Sequence, residues 1–279
     1  MKVIDFRFRP CVKAVVDSIV SNPVFSGFVA ATGFGSKPAP TLAEEVALFK
    51  SLGVEKVVMN GRDCETVSRA PSSNPGVIEA MSAFPDEIIG FYGFDPYKGM
   101  DGVRAFRKAI QQEGFVGASV DADICRLPLS DARFYPLYTM CCDLGVPVIM
   151  TTGAAPMPGV PMENTSPVHV DRVAAHFPEL KIVMSHAAWN YPYEALSVVY
   201  RNNNVYMDIS DMNMIMWMDI FVKAINSNLG NLSDKVFFGS AHPFMPLAEA
   251  LETMAGFEFA DGVREKIMYG NAKRFLGLA

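Results

Sequence analysis

Short apolar runs alternate with longer amphipathic stretches along the whole chain of 279 residues. Most runs are continuously apolar and rich in Val, Ile and Phe, which is typical of parallel strands covered on both faces. Strands are predicted at residues 3–8, 54–60, 88–92, 115–120, 147–151, 181–185, 204–209 and 235–240. Eight such strands alternating with helices close into a barrel, so the pattern predicts an α/β fold, a (β/α)8 TIM barrel.

The stretches between the strands carry helix signals. Thr41 and Glu44 have the spacing of a capping box, and Leu42, Val46 and Phe49 recur on one face. Helices are also predicted at residues 75–84, 102–113, 131–144, 168–177, 193–200, 214–226, 247–254 and 262–276. Because no repeat or low-complexity segment interrupts the pattern, the chain is predicted to be one domain, residues 1–279.

Two connections are longer than the rest. Residues 10–40 follow the first strand, and the proline-rich residues 154–167 follow the fifth. The loops that follow the strands build the active-site mouth of a TIM barrel. Both connections are therefore candidate lids over the mouth.

Charge and composition exclude several kinds of partner. The net charge is −6 and no basic run occurs, which argues against nucleic acid and anionic membranes. No apolar stretch approaches the roughly 20 residues that span a bilayer. The chain enters a strand pattern at once, so no signal peptide is expected. The five cysteines form no CxxC pair and are expected to be reduced thiols in the cytoplasm.

Six fragments, taken in order and spacing, carry a family resemblance. They are FYPLY at 134–138, LGVPV at 144–148, FPELKIVMSH at 177–186, NVYMD at 204–208, FGS at 238–240 and GNAKRF at 270–275. Together they resemble the amidohydrolase superfamily, in particular the amidohydrolase-related group of aromatic-acid and semialdehyde decarboxylases, lactonases and hydratases. The resemblance covers essentially the whole chain. It implies a TIM barrel that assembles as a homodimer or larger homo-oligomer.

The resemblance also implies where a divalent metal would sit. The family holds it with an HxH pair after strand one, histidines after strands five and six, and an aspartate after strand eight. The matching positions are Arg7, Arg9, Thr151, His186 and Ala241. A catalytic zinc normally takes three protein ligands, and a guanidinium offers no lone pair. At ~4 Å and an effective dielectric of about 20, each guanidinium would repel a unit charge by about 4 kcal/mol. We therefore expect no metal and no cofactor.

The two arginines predict a different ligand. Arg7 and Arg9 lie two apart on one strand and therefore share a face. If that face is the barrel interior, they form an anion site suited to a carboxylate, and Arg62 would add a third positive group. The alternative is an internal salt-bridge network, in which the neutralising carboxylate is Asp5, Asp95, Asp121 or Asp208.

His186 is the candidate general acid or base, because the ordinary pKa of histidine is about 6.5. The alternative is a structural or substrate-orienting histidine. Asp208 ends strand seven and is the second catalytic candidate, to tune His186 or take a proton itself; the alternative is an ion pair with an arginine. Alternation turns His242 away from the interior, but it stays a substrate-site candidate. Further residues expected to line the substrate are Ser119, Thr151, Trp189 and Tyr193; for Trp189 and Tyr193 the alternative is ordinary packing.

The leading hypothesis is a metal-independent enzyme of the amidohydrolase fold, a hydrolase, lyase or isomerase acting on a small carboxylate or lactone. Arg7 and Arg9 would bind the anion, and His186 would move a proton. Two alternatives stay open. One is a catalytically silent barrel that binds a carboxylate or a protein partner. The other is a metal enzyme with rearranged ligands from His186, Asp208 and His242.

Overall fold

A computed structural model describes residues 1–153, 160–211 and 217–279. Eight parallel strands form one sheet in chain order. They are β1 Val3–Phe8, β2 Val54–Asn60, β3 Ile88–Gly93, β4 Gly117–Val120, β5 Val148–Thr151, β6 Ile182–Ser185, β7 Val205–Asp208 and β8 Val236–Phe237. The TIM barrel predicted from the sequence is confirmed. The first residues of the predicted helix 214–226 and of the proposed lid 154–167 lie outside the described residues.

Helices fill the connections between the strands. In the described residues they are Lys13–Val20, Ser26–Thr32, Leu42–Ser51, Glu65–Ser68, Asn74–Ala83, Gly99–Gln112, Ala122–Cys125, Tyr135–Leu144, Pro167–His176, Pro192–Arg201, Met218–Ser227, Leu247–Ala255, Val263–Glu265 and Asn271–Phe275. The predicted capping box is present: Thr41 Oγ1 accepts from the Glu44 N–H at 3.2 Å, and the Glu44 carboxylate accepts from the Thr41 N–H at 2.7 Å.

The predicted helix 262–276 is divided by a π-helical turn, Lys266–Gly270. The carbonyl of Ile267 accepts a hydrogen bond from the Phe238 N–H at 2.9 Å, just after β8. Because the Ile267 carbonyl accepts this hydrogen bond from outside the helix, the chain forms a wider π-helical turn here instead of a continuous α-helix.

The connection 10–40 is not a plain loop, since it contains the helices Lys13–Val20 and Ser26–Thr32. The first of these buries Ile19 in the core, which explains why it forms. Within the described residues, no single helix has the length and apolar composition needed to cross a membrane. Only the pair Lys13–Val20 and Pro23–Thr32 passes that test together, across an 80° bend.

Apolar side chains fill the barrel below its mouth. Those buried there include Ile4, Phe6, Val58, Phe91, Ile149, Val183 and Phe237. The rings of Phe6 and Phe237 stack with centroids 4.5 Å apart, and Phe275 of the last helix packs 5.1 Å from Phe237. The lower barrel is thus a packed core, which leaves the carboxyl ends of the strands to carry polar side chains.

A bulge in β1 decides which side chains face the interior. Three steps along β1, from Asp5 to Phe8, oppose only two steps along β2. Before the bulge, Phe6 belongs to the interior core. Beyond it, Arg7 and Arg9 face the interior, and Phe8 packs against the helices outside. The bulge therefore places two charged side chains where strict alternation would place one aromatic ring.

The Asp5 carboxylate holds this bulge and the seam between β8 and β1, where residues 238–242 lie against residues 5–9. One oxygen accepts from the N–H groups of Arg7 at 3.0 Å and Ser240 at 2.9 Å; the other accepts from the Ser240 hydroxyl at 2.5 Å. Beside it, the N–H of Arg9 donates to the carbonyl of His242 at 3.0 Å. Burial raises the pKa of Asp5 to about 6, so the carboxylate is ionised at neutral pH and needs these donors.

Replacing Asp5 with Ala is expected to lower the free energy of unfolding by about 3 kcal/mol or more, because three buried donors would lose their acceptor. Asp5→Asn is expected to lose less, since its amide oxygen still accepts from both N–H groups. Urea unfolding of both variants measures the difference.

Asp101→Ala is the matched control, because this carboxylate is 88% exposed and its ion pair in the described part of the chain is with Arg104. It should change the free energy of unfolding by less than about 1 kcal/mol. A loss in Asp5→Ala no larger than in this control would contradict the role given to Asp5.

Candidate active site

The polar side chains at the mouth are organised around Arg7. Its guanidinium reaches across the interior: Nη1 donates to Ser185 Oγ at 2.9 Å, and Nη2 donates to Thr151 Oγ1 at 3.4 Å. Gly239, just after β8, leaves the space that this side chain needs, because a Cβ there would lie 3.1 Å from the Cβ of Arg7. The Arg7 side chain is 2% exposed. A positive charge therefore lies inside the barrel.

Arg9 and Arg62 supply two further buried guanidinium groups. Arg9 Nε donates to the carbonyl of Asn60 at 2.9 Å, and Arg62 Nε donates to Asp121 Oδ2 at 3.4 Å. The other oxygen of Asp121 accepts from Thr151 Oγ1 at 3.0 Å. Burial alone would raise the pKa of Asp121, but the three guanidinium groups outweigh it and hold the pKa at about 2.

The internal salt-bridge alternative is therefore met by one carboxylate, Asp121, with Arg62 as its partner. Asp5 binds backbone N–H groups and a serine hydroxyl instead. Asp95 likewise accepts from the backbone N–H groups of Thr66 and Tyr97, at 2.9 and 3.0 Å. Three arginines thus share a single direct carboxylate partner within the described residues.

Two donors of these arginines lack an acceptor. Nε of Arg7 and Nη2 of Arg9 are buried and make no hydrogen bond within the described residues. Burial and the positive charges of Arg62 and Arg7 lower the pKa of Arg9 well below its usual value. Buried charged donors without a partner are costly, and a carboxylate at the mouth would pair with them.

His186, Ser210 and Asp208 form a second polar group. The backbone N–H of His186 donates to Asp208 Oδ1 at 3.0 Å, and the Ser210 hydroxyl donates to the same oxygen. Ser210 Oγ lies 2.9 Å from His186 Nδ1. Because the single hydroxyl proton goes to Asp208, the serine oxygen accepts from Nδ1–H, and Nε2 of His186 carries the free lone pair. A left-handed backbone at His186, with φ at 58°, accompanies this ring orientation.

The charges around His186 decide its protonation state. Burial and the positive charges of Arg7 and Arg9 lower the pKa of His186 well below its usual value, so the ring is neutral at pH 7. Burial raises the pKa of Asp208, against the opposing effect of Arg7. Asp208 Oδ2 is buried without a hydrogen-bond partner in the described residues. In this arrangement His186 Nε2 can accept a proton, and the Asp208 carboxylate, linked to the ring through Ser210, can stabilise an imidazolium.

The structure adds two carboxylates at the mouth, Asp123 and Asp211, that the sequence analysis does not predict. Burial and the charge of Asp121 raise the pKa of Asp123 to about 6. Burial likewise raises the pKa of Asp211 to about 6. The Asp-Ala-Asp spacing at the carboxyl end of β4 was the available signal for Asp123, since ends of barrel strands carry functional groups.

The other predicted site residues are more scattered. Ser119 is buried on β4, and its hydroxyl has no hydrogen-bond partner in the described residues. Trp189 is half-buried beside Gly153, after β5. Tyr193 is 69% exposed on the helix Pro192–Arg201. His242 stacks on Phe8 on the outer face, with centroids 4.6 Å apart. Among the described contacts, neither the Tyr193 side chain nor the His242 ring reaches the guanidinium groups, although the His242 carbonyl accepts from the Arg9 N–H.

Residues 39–278 match the family model described as amidohydrolase. The chain belongs to the amidohydrolase family. A curated relative, 2-amino-3-carboxymuconate-6-semialdehyde decarboxylase of Dictyostelium discoideum, is 23% identical over 237 residues, which are 74% of this chain and 65% of that protein. The chain thus spans less than two thirds of this relative's length.

Solved structures share the TIM-barrel fold. An uncharacterised TIM-barrel protein of Bordetella bronchiseptica is 30% identical, with a TM-score of 0.80 and 99% of each chain covered. A dihydroxybenzoic acid decarboxylase of Polaromonas sp. JS666, solved with manganese and 2-nitroresorcinol, is 18% identical, with a TM-score of 0.73 and 99% and 97% of the two chains covered. The second likeness shows the fold alone.

The residues at the expected metal position do not fit a divalent cation. Arg7 and Arg9 fill it with guanidinium groups, which carry positive charge and no lone pair. The rearranged-ligand alternative gains no support either. Within the described parts of the chain, neither His186 nor Asp208 belongs to a group of three or more converging metal-ligating atoms.

Replacing Arg9 with Met is expected to raise the pKa of His186 towards its usual value, because one positive charge that disfavours the imidazolium is removed. An NMR titration of the ring Cε1 proton measures this. The chain has four histidines, so the signal is assigned by its loss in His186→Gln.

The control is Arg133→Met, which removes a surface arginine that is 52% exposed. It should leave the His186 titration where it is. An equal pKa in Arg9→Met and the parent protein would mean that Arg9 does not set the charge state of His186.

Proposed function

We propose that this protein is a metal-independent enzyme that performs proton transfer on a small organic carboxylate or lactone, as a hydrolase, lyase or isomerase. One observation carries the proposal: buried guanidinium donors without acceptors lie beside a histidine that is neutral at pH 7. The decarboxylase named among the relatives supports a carboxylate substrate. The guanidinium groups at the expected metal position support chemistry without a metal.

Each group has a distinct task in this proposal. Arg7 and Arg9 bind the substrate carboxylate or the oxyanion that develops on a carbonyl, and their burial strengthens this interaction. His186 Nε2 removes a proton from water or from the substrate carbon and returns it to the leaving or receiving atom. While the ring carries that proton, Asp208 stabilises it through Ser210. The proton ends on the product, so His186 is regenerated.

Two variants test the tasks separately. His186→Ala is expected to lower kcat about 100-fold or more, the usual contribution of a general acid or base. Arg9→Ala is expected to act mainly on KM, because it removes a donor to the bound anion. The parent protein is first assayed against lactones, hydroxybenzoates and keto acids, each with EDTA and with added Mn²⁺, and turnover should be equal in both.

His176→Ala is the matched control, because this histidine lies on an outer helix and contacts Tyr135, away from the mouth. It should retain parental kcat. Full turnover in both His186→Ala and Arg9→Ala would contradict the mechanism. Turnover that depends on Mn²⁺ would contradict its metal independence.

Binding of an aromatic carboxylate is expected to tighten about tenfold as the pH falls from about 7.5 to 5.5, equivalent to about 1.4 kcal/mol. The reason is the raised pKa of Asp123 and Asp211, each about 6. Below that pH both carboxyls are protonated, and the arginines lose nearby negative charge. Benzoate remains ionised over this range, since carboxyl pKa values lie near about 4.

Calorimetric titration with benzoate at several pH values measures this effect. Asp123→Asn is the comparison variant, because it carries no charge at any pH. Its affinity should be higher than that of the parent at pH 7.5 and should vary less with pH. Affinity that is independent of pH in the parent would contradict the assignment of these carboxylates to the site.

A further inference from the structure

Three metal-ligating side chains converge outside the barrel, behind β1. They are Cys11, after β1; Glu45, on the helix Leu42–Ser51; and His242, after β8. Cys11 Sγ lies 3.4 Å from His242 Nε2, and Glu45 Oε2 lies 3.5 Å from the same nitrogen. One ligand atom from each residue lies within 4.8 Å of the other two. One small ion can therefore touch all three.

These side chains are held in place by their surroundings. The His242 ring stacks on Phe8 with an interplanar angle of 9°, and its backbone N–H donates to Ser240 Oγ at 3.0 Å. Glu45 Oε1 accepts from the backbone N–H of Cys11 at 3.2 Å, which fixes the loop that carries the thiol. A site whose ligands are already oriented loses little entropy on binding an ion.

Glu45 contributes a buried carboxylate to this cluster. Glu45 is 4% exposed, and its Oε2 has no hydrogen-bond partner within the described residues. His242 Nε2 lies 3.5 Å from this carboxylate, and no Lys or Arg side chain forms an ion pair with Glu45 within the described residues. A buried carboxylate oxygen that makes no hydrogen bond and converges with a thiol and an imidazole nitrogen offers a ready set of ligand atoms for a cation.

We propose that Cys11, Glu45 and His242 bind a divalent cation of the zinc class. Sulfur, nitrogen and oxygen donors together suit Zn²⁺ or Co²⁺ and disfavour Mg²⁺ or Ca²⁺. On binding, the thiol S–H bond breaks, the sulfur–metal bond forms, and the proton passes to solvent. A thiolate, a carboxylate and a neutral imidazole then balance the dication, and water takes the fourth position. Cys11 is partly exposed, which gives the ion a route in.

This site is separate from the position at which the family holds its metal. That position lies inside the barrel with Arg7 and Arg9, whereas His242 and Phe8 lie on the outer face of the same strand seam. The ion would join the loop after β1, the helix Leu42–Ser51 and the segment after β8. Its role is therefore to clamp the seam where the barrel closes.

The test uses the full chain, stripped with EDTA and titrated with Zn²⁺ and with Co²⁺. One equivalent of Zn²⁺ is expected to bind and to raise the melting temperature. Co²⁺ is expected to give a thiolate-to-metal charge-transfer band in the ultraviolet. Cys11→Ser should abolish this band and weaken Zn²⁺ binding about tenfold or more. Zn²⁺ should also slow alkylation of Cys11 in the parent, as followed by peptide mass spectrometry.

Cys142→Ser is the matched control, because Cys142 is also a partly exposed free thiol. It should keep the band and the affinity. The absence of a charge-transfer band in the parent, or Zn²⁺ affinity unchanged in Cys11→Ser, would overturn the proposal. Zn²⁺ binding that is lost in His186→Ala and kept in Cys11→Ser would overturn it as well, by placing the ion inside the barrel. Because these readouts need no substrate, they are independent of the proposed enzymatic function.

Discussion

The carboxylate of Asp5 is the constraint on which the rest of the structure depends. It accepts two backbone N–H groups and one hydroxyl across the seam between β8 and β1. These bonds satisfy a bulge that would otherwise leave buried donors unpaired. Without the bulge, the alternation set by Phe6 would direct Phe8 inwards and Arg7 outwards. The guanidinium groups of Arg7 and Arg9 reach the mouth because Asp5 stabilises the bulge in β1, and the bulge shifts the register of β1 against β2.

The electrostatics of the mouth follow from that placement. Within the described residues three buried guanidinium groups share one directly paired carboxylate, and burial together with the positive charges of Arg7 and Arg9 lowers the pKa of His186. The same charge keeps the imidazole neutral and attracts an anion. A substrate carboxylate would cancel part of this charge and so raise the pKa of the histidine when a proton has to be accepted. Binding and proton transfer are in this way coupled through the arginines.

Much of the fold can be predicted from the sequence, because each strand is a local apolar run and the capping box at Thr41 is a local contact. The candidate site can be predicted only in part. The two-residue spacing of Arg7 and Arg9 correctly predicts a shared face, but which face depends on a register shift against β2 that no local pattern reveals. The contact of Cys11 with His242 joins residues 231 positions apart, so it becomes visible only when the barrel closes.

Strand β1 therefore serves two environments at once. The guanidinium groups of Arg7 and Arg9 lie on the inner side of this seam, and the sulfur, nitrogen and oxygen atoms of Cys11, His242 and Glu45 converge on its outer side. The two faces share backbone atoms, since the N–H of Arg9 donates to the carbonyl of His242. A ligand that tightened the outer cluster would also fix the backbone from which Arg9 projects. The seam thus provides a physical route by which a structural ion outside the barrel can set the geometry of an anion site inside it.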